Sequence, residues 1–162
     1  MEKQIGNDEL VWYVAYGSNL SSKRFQEYLG KIQHKGLFPK SRPFSIPYNI
    51  YFDHQSSKWD LGGVAFLNTD NPGFAYGKAY LITFQQFLRI QSQEGWYPKI
   101  VNLGLLDDRH ALSFTQMKHK ETVKPSPSYL TVILNGLSET YPSIDLPTFE
   151  KYLQNRVKNS NL

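Results

Sequence analysis

The run Val11-Trp12-Tyr13-Val14-Ala15-Tyr16 constrains the chain more than any other stretch. Six β-branched, aromatic or small residues without a charge read as a buried strand, because such side chains fit a pleated surface and leave nothing to face water. Gly17 ends it, and the period then turns helical. Phe25, Tyr28 and Leu29 recur on one face, Ser21 or Ser22 is placed to cap the start, and Gly30 stands where a helix end favours a left-handed residue. A strand entering a helix through Gly17-Ser18-Asn19 turns backbone N–H groups outward at the positive end of the helix dipole, a place that can hold a carboxylate or a phosphate. Good turn formers produce the same pattern with no ligand at all. Both readings are open on this stretch alone. Ala15-Tyr16-Gly17 recurs as Ala75-Tyr76-Gly77, where a β-pattern continues through Lys78-Ala79-Tyr80, so the tripeptide means nothing without Ser18-Asn19-Leu20.

Further elements follow from periodicity. Phe44 to Phe52 alternates, with Phe44, Ile46, Tyr48, Ile50 and Phe52 on one face, and Pro43 and Pro47 place this strand at a sheet edge. Strands over Gly62 to Leu67 and Tyr76 to Ile82 follow, the last two joined through Asn71-Pro72-Gly73, and the three successive strands are expected to be hairpin-connected. Thr83-Phe84-Gln85-Gln86 fits a capping box for a helix that Gly95 ends. Strands at about Lys99 to Leu105 and Ala111 to Met117 flank the turn Asp107-Asp108-Arg109-His110. Ser126 caps a helix with Pro127 at its first position, and Pro147 opens a last helix carrying Phe149, Tyr152, Leu153 and Val157. About six strands and four helices that do not alternate one for one predict a mixed α+β fold. At 162 residues the chain fits a single domain, 1–162, with 1–9 and 159–162 as flexible tails. Lys118 to Ser128 is a loop between core-forming elements, so no interdomain linker is expected.

Composition then narrows the chemistry. Zero cysteines exclude thiolate nucleophiles, disulfides and cysteine-held metals or clusters. Apolar runs of only a few residues are far short of the ~20 that a membrane-spanning helix needs. The polar N-terminus lacks the apolar stretch of a signal peptide, so a cytoplasmic location is expected. The net charge of +4 comes from scattered Lys and Arg, a weak pull toward anions. His34, His54, His110 and His119 offer no i, i+4 pair and no His-Glu helical motif, and each reads as a surface or hydrogen-bonded residue. No Gly-x-Ser-x-Gly elbow is present, and Lys78, after a single glycine, belongs to no phosphate loop. Gln93-Glu94-Gly95 breaks a local rule: a carboxylate in the last turn of a helix faces the negative end of the dipole, at a cost of ~0.3–1 kcal/mol. The same field raises its pKa toward that of a useful general base. The alternative is a solvated glutamate at a frayed helix end.

Together, Tyr13-Val14-Ala15-Tyr16-Gly17-Ser18-Asn19-Leu20 and Gln93-Glu94-Gly95 resemble the gamma-glutamylcyclotransferase-like family. The similarity continues through Trp59-Asp60-Leu61-Gly62-Gly63-Val64-Ala65 and Pro125-Ser126-Pro127-Ser128-Tyr129, and so spans nearly the whole chain in order. The resemblance implies a small mixed β-barrel with flanking helices, whose cavity is roofed by the Tyr-Gly-Ser-Asn-Leu loop. It implies that Tyr16, Gly17, Ser18, Asn19 and Leu20 bind a glutamyl moiety, that Glu94 is the general acid/base, and that Tyr129 lies near the cavity. No metal and no cofactor are implied. Trp96 and Tyr97, directly after Glu94-Gly95, make the neighbouring wall bulkier than in many members.

The implied reaction suits a cysteine-free chain. The α-amine of a gamma-glutamyl amide attacks its own side-chain carbonyl, giving 5-oxoproline and a free amine, so the nucleophile belongs to the substrate. The expected partner is a small gamma-glutamyl compound, with neither nucleic acid nor membrane; no residue pattern sets an oligomeric state. The competing reading is a binding module that holds an acidic small molecule in the same cavity without turning it over. A reading as a single-strand nucleic-acid binder has 3 Trp, 11 Tyr and 10 Phe in its favour, but no basic stripe accompanies them, and a core absorbs them more simply.

Overall fold

The computed structural model describes residues 4–30, 38–93 and 95–160. Glu94, His34 and the outermost parts of both expected tails, 1–3 and 161–162, lie outside the described residues.

The charge-free run is the strand β1 (Leu10–Ala15), and the sheet is built around it. The order is β2-β5-β1-β7-β6, from β2 (Ser41–Ile46), β5 (Ala75–Thr83), β7 (Arg109–Thr115) and β6 (Lys99–Leu106). β1 runs antiparallel to β5 and parallel to β7, which makes the sheet mixed. Alternate residues of β1 enter different cores, and this is why it tolerates no charge. Trp12, Val14 and Tyr16 join the core that includes the hairpin β3 (Asn49–Ser56) and β4 (Gly62–Asn68) and the helices α3 (Pro127–Thr140) and α4 (Leu146–Lys158). Val11, Tyr13 and Ala15 pack against α1 (Ser22–Leu29) and α2 (Phe84–Ser92) on the other face.

The α+β class is as expected, with seven strands in two hydrogen-bonded sheets among the described residues. The barrel is not strictly closed by ladders; β4 meets β7 through Thr115, whose hydroxyl accepts from the Leu67 N–H at 3.0 Å and donates to the Leu67 carbonyl at 3.3 Å. Two expectations about the strands are corrected. The single strand over Phe44 to Phe52 is two, because the chain leaves the edge of the large sheet at Pro47 and begins the small one at Asn49; the Pro47 carbonyl accepts from the Gly73 N–H instead. The hairpin expected between Gly62–Leu67 and Tyr76–Ile82 does not form, since β4 pairs with β3 and β5 with β1 and β2.

The capping residues act as read. Ser21 accepts from the Arg24 N–H, Thr83 and Gln86 complete a reciprocal capping box, and Ser126 caps α3 with Pro127 in its first turn. Gly30 departs from expectation: it is right-handed, at φ −60° and ψ −22°. Asp107 and Asp108 take φ 49° and 62°, the left-handed pair that closes a two-residue hairpin between β6 and β7. The stretch 118–128 is tied down, with Lys120 and Glu121 donating their N–H groups to the buried Asp53 carboxylate. Parts of both expected tails are also bonded. The Asn7 and Glu9 carbonyls accept from the first turn of α2, and the buried Ser160 accepts from the Phe52 N–H.

Candidate active site

Where β1 ends, the backbone turns through Gly17 into a single 3-10 turn, Ser18–Leu20, and then into α1. Gly17 is needed there: a Cβ would stand 2.9 Å from the Tyr129 hydroxyl oxygen. That hydroxyl accepts from the Ala65 N–H at 2.9 Å, and Trp59 and Phe52 pack edge-on against the ring, so Tyr129 has little room to yield. Tyr16, Gly17, Ser18, Asn19 and Tyr129 line one cavity of about 50 Å³, together with Tyr13, Tyr28, Ala65, Tyr97 and Phe114. Hollows of about 380, 390 and 410 Å³ elsewhere are larger, but none gathers these residues.

The polar groups of the turn divide into those already used and those left over. The Leu20 N–H donates to the Gly17 carbonyl at 3.0 Å and the Ser21 N–H to the Ser18 carbonyl at 3.1 Å. Among the described residues, the N–H groups of Gly17, Ser18 and Asn19 make no hydrogen bond. The Asn19 side chain donates to the Tyr13 hydroxyl at 3.1 Å, while its buried Oδ1 has no partner. An unpartnered acceptor of this kind costs ~1–3 kcal/mol unless something fills the cavity and donates to it.

Leu20 differs from its neighbours. Its side chain is fully buried in the core and its N–H is engaged within the turn, so it supports the cavity from behind rather than lining it. Tyr16 is also anchored, its hydroxyl donating to the Phe114 carbonyl at 2.8 Å. Burial, reinforced by the neighbouring Tyr13, holds that hydroxyl well above the usual tyrosine range despite the opposing Thr115 hydroxyl, and it stays protonated. Glu94 lies outside the described residues; the segments on either side of it approach the cavity. Tyr97 lines it, donating its hydroxyl to the Ala65 carbonyl at 2.9 Å and stacking on Phe66. Before it, Gln93 donates to the Tyr28 carbonyl at 3.4 Å, and its buried Oε1 has no partner. Trp96 is not in the lining; it stacks on His54 with ring centroids 4.6 Å apart.

Tyr13, Tyr28, Ala65 and Phe114 were not among the expected site residues, and Tyr97 was expected only as part of the neighbouring wall. They come from β1, α1, β4, the segment before β6, and β7, and only the fold brings them together.

No protein-family model matches the chain. Among curated proteins it is 34% identical over 99 residues to histone deacetylase 5 of Arabidopsis thaliana, a match covering 52% of this chain and 15% of that protein. It is 30% identical over 103 residues to gamma-glutamyl cyclotransferase aclK of Aspergillus oryzae, covering 54% of this chain and 36% of that protein. The chain therefore matches well under half the length of either relative. Solved structures match more completely. An uncharacterized protein from Homo sapiens superposes with a TM-score of 0.67 at 20% identity, and a gamma-glutamyl cyclotransferase with 0.65 at 20%, each match covering 90% of this chain and 87% of the other. YkqA from Bacillus subtilis gives 0.66 at 21%, covering 93% of this chain and 55% of that one. The resemblance read from the motifs thus extends to the fold.

Proposed function

We propose that this chain is a gamma-glutamylcyclotransferase-type enzyme, cyclising a gamma-glutamyl amide to 5-oxoproline with release of an amine, and that Glu94 is its general acid/base. The observation that carries this reading is the unpartnered Asn19 Oδ1, buried beside a turn whose first N–H groups bond to no described residue. A glutamyl group brings both complements: an α-carboxylate for the N–H groups and an α-nitrogen able to donate to Asn19. The curated cyclotransferase relative and the shared fold support the same reading.

The reaction balances without a protein nucleophile. The substrate ammonium gives a proton to the Glu94 carboxylate, and the freed amine attacks the side-chain carbonyl carbon, forming the ring C–N bond. The tetrahedral oxyanion is met by backbone N–H groups. As it collapses the bond to the leaving nitrogen breaks and Glu94 returns the proton to that nitrogen; the ring nitrogen then gives up its second proton through the same carboxylate to the departing amine, so that 5-oxoproline leaves as the neutral lactam and the amine as its ammonium. At about 50 Å³ the cavity lies below the ~300 Å³ typical of ligand pockets.

The test is a panel of gamma-glutamyl amino acids and amines assayed for 5-oxoproline with wild-type protein and Glu94→Gln. Release by the wild type and a loss of 10²-fold or more in the variant, at unchanged circular dichroism, is the expected result. Binding without turnover would favour the ligand-holding module instead.

A further inference from the structure

Lys78 is a lysine inside a sheet, 4% exposed, on the strand beside β1. Its ammonium donates to the Ser22 hydroxyl at 2.7 Å and the Glu139 carboxylate at 2.9 Å, and reaches within 3.5 Å of the Leu20 carbonyl. The same Glu139 oxygen accepts the Ser22 N–H. Two residues along β5, the buried Tyr80 hydroxyl donates to the Asn19 carbonyl at 2.7 Å. Helix α3 closes the arrangement, with Gly136 so near that a methyl group there would strike the Leu20 carbonyl carbon at 2.4 Å. The carbonyls of Asn19 and Leu20 and the N–H of Ser22 are thus all held from the side away from the cavity.

A buried ammonium is costly unless paired, and replacing a buried ion pair by apolar residues is often neutral or stabilising. Lys78 and Glu139 are therefore a poor device for stability alone. We propose that Lys78 and Glu139 are positioning residues, whose ion pair behind Leu20-Ser21-Ser22 fixes the Gly17-Ser18-Asn19 turn in the orientation that presents its N–H groups to the cavity. This rests on the reading of that turn as the substrate-binding loop.

Two variants separate positioning from stability: Lys78→Met, and the double variant Lys78→Met with Glu139→Leu, which removes both charges together. The double variant is expected to unfold at close to the wild-type temperature yet to show a kcat/KM for 5-oxoproline release at least tenfold lower. A double variant that keeps wild-type kcat/KM overturns the proposal, whether or not the single variant folds. A second readout needs no turnover. Amide hydrogen exchange at Leu20 and Ser21, whose acceptors lie within the turn itself, should quicken tenfold or more in the double variant while Val14 keeps its rate. Unchanged exchange at both overturns the proposal. Should the wild type release no 5-oxoproline from any gamma-glutamyl compound, the enzymatic reading falls, and the exchange rates decide the positioning role by themselves.

Discussion

The tripeptide Ala-Tyr-Gly occurs at the end of β1 and again at the start of β5, and the two copies do opposite things. After Ala15-Tyr16-Gly17 the ladder stops and the chain opens into the turn; after Ala75-Tyr76-Gly77 the strand continues to Thr83. Tyr16 spends its hydroxyl on the Phe114 carbonyl, whereas Tyr76 lies among Phe74, Tyr141, Phe149 and Tyr152 and its hydroxyl bonds to no described residue. Because β1 and β5 pair antiparallel with Ala15 opposite Lys78, the residues that follow the second copy lie behind those that follow the first. Lys78 and Tyr80 reach the carbonyls of Leu20 and Asn19. One copy leaves polar groups open toward a cavity, and the other supplies the groups that saturate its far side.

The strongest way to break this asymmetry is at Gly17. An alanine there puts a methyl group 2.9 Å from the Tyr129 hydroxyl, which is held by the Ala65 N–H and cannot retreat freely. Overpacking of this kind costs ~1–3 kcal/mol, and a displacement near 1 Å at a reacting centre costs about 10²-fold in rate. Gly17→Ala should therefore lower the urea midpoint and reduce 5-oxoproline release about 10²-fold. Wild-type turnover in a folded variant would show that the turn is not the binding element.

A smaller contrast isolates the two tyrosines. Tyr16→Phe leaves the buried Phe114 carbonyl without its donor, a loss of ~1 kcal/mol, while Tyr76→Phe removes a hydroxyl that bonds to no described residue and should leave stability within ~0.5 kcal/mol of wild type. Denaturant titrations of the pair decide it; equal losses would mean that the two copies are equivalent after all.

How much of this was readable beforehand depends on whether a signal was local. The charge-free run of β1, the caps at Ser21, Thr83 and Ser126, and the turn itself rest on neighbouring residues, and all stand where expected. The break at Pro47 was hidden because alternation runs unbroken across it, and only sheet partners reveal that Ile46 and Ile50 belong to different sheets. The false hairpin between β4 and β5 has the same origin: turn residues mark where a chain bends, not what it pairs with. Five lining residues come from five separate segments and had no common sequence signal. Lys78 did leave a trace, since one charge within the otherwise uncharged stretch Ala75 to Thr83 is out of place on a strand buried along most of its length.

The smallest effect concerns the saturated side of the turn. Burial alone would raise the Glu139 pKa, but hydrogen bonds from Ser22 and Lys78 outweigh it and hold the carboxyl below the ordinary glutamate value. A depressed folded-state pKa means that the contribution to stability is complete above the unfolded value, near ~4.3, and is lost as pH falls through the folded one. Its carboxylate side chain is 42% exposed, so solvent screens the pair and the contribution is modest. Urea midpoints of wild type and Glu139→Gln should differ at pH 7 and converge as the pH falls below about 4. A gap that stays constant down to pH 3 would mean that the carboxylate charge does not hold Ser22 and Lys78, and the back of the turn would then owe its order to Tyr80 and Gly136 alone.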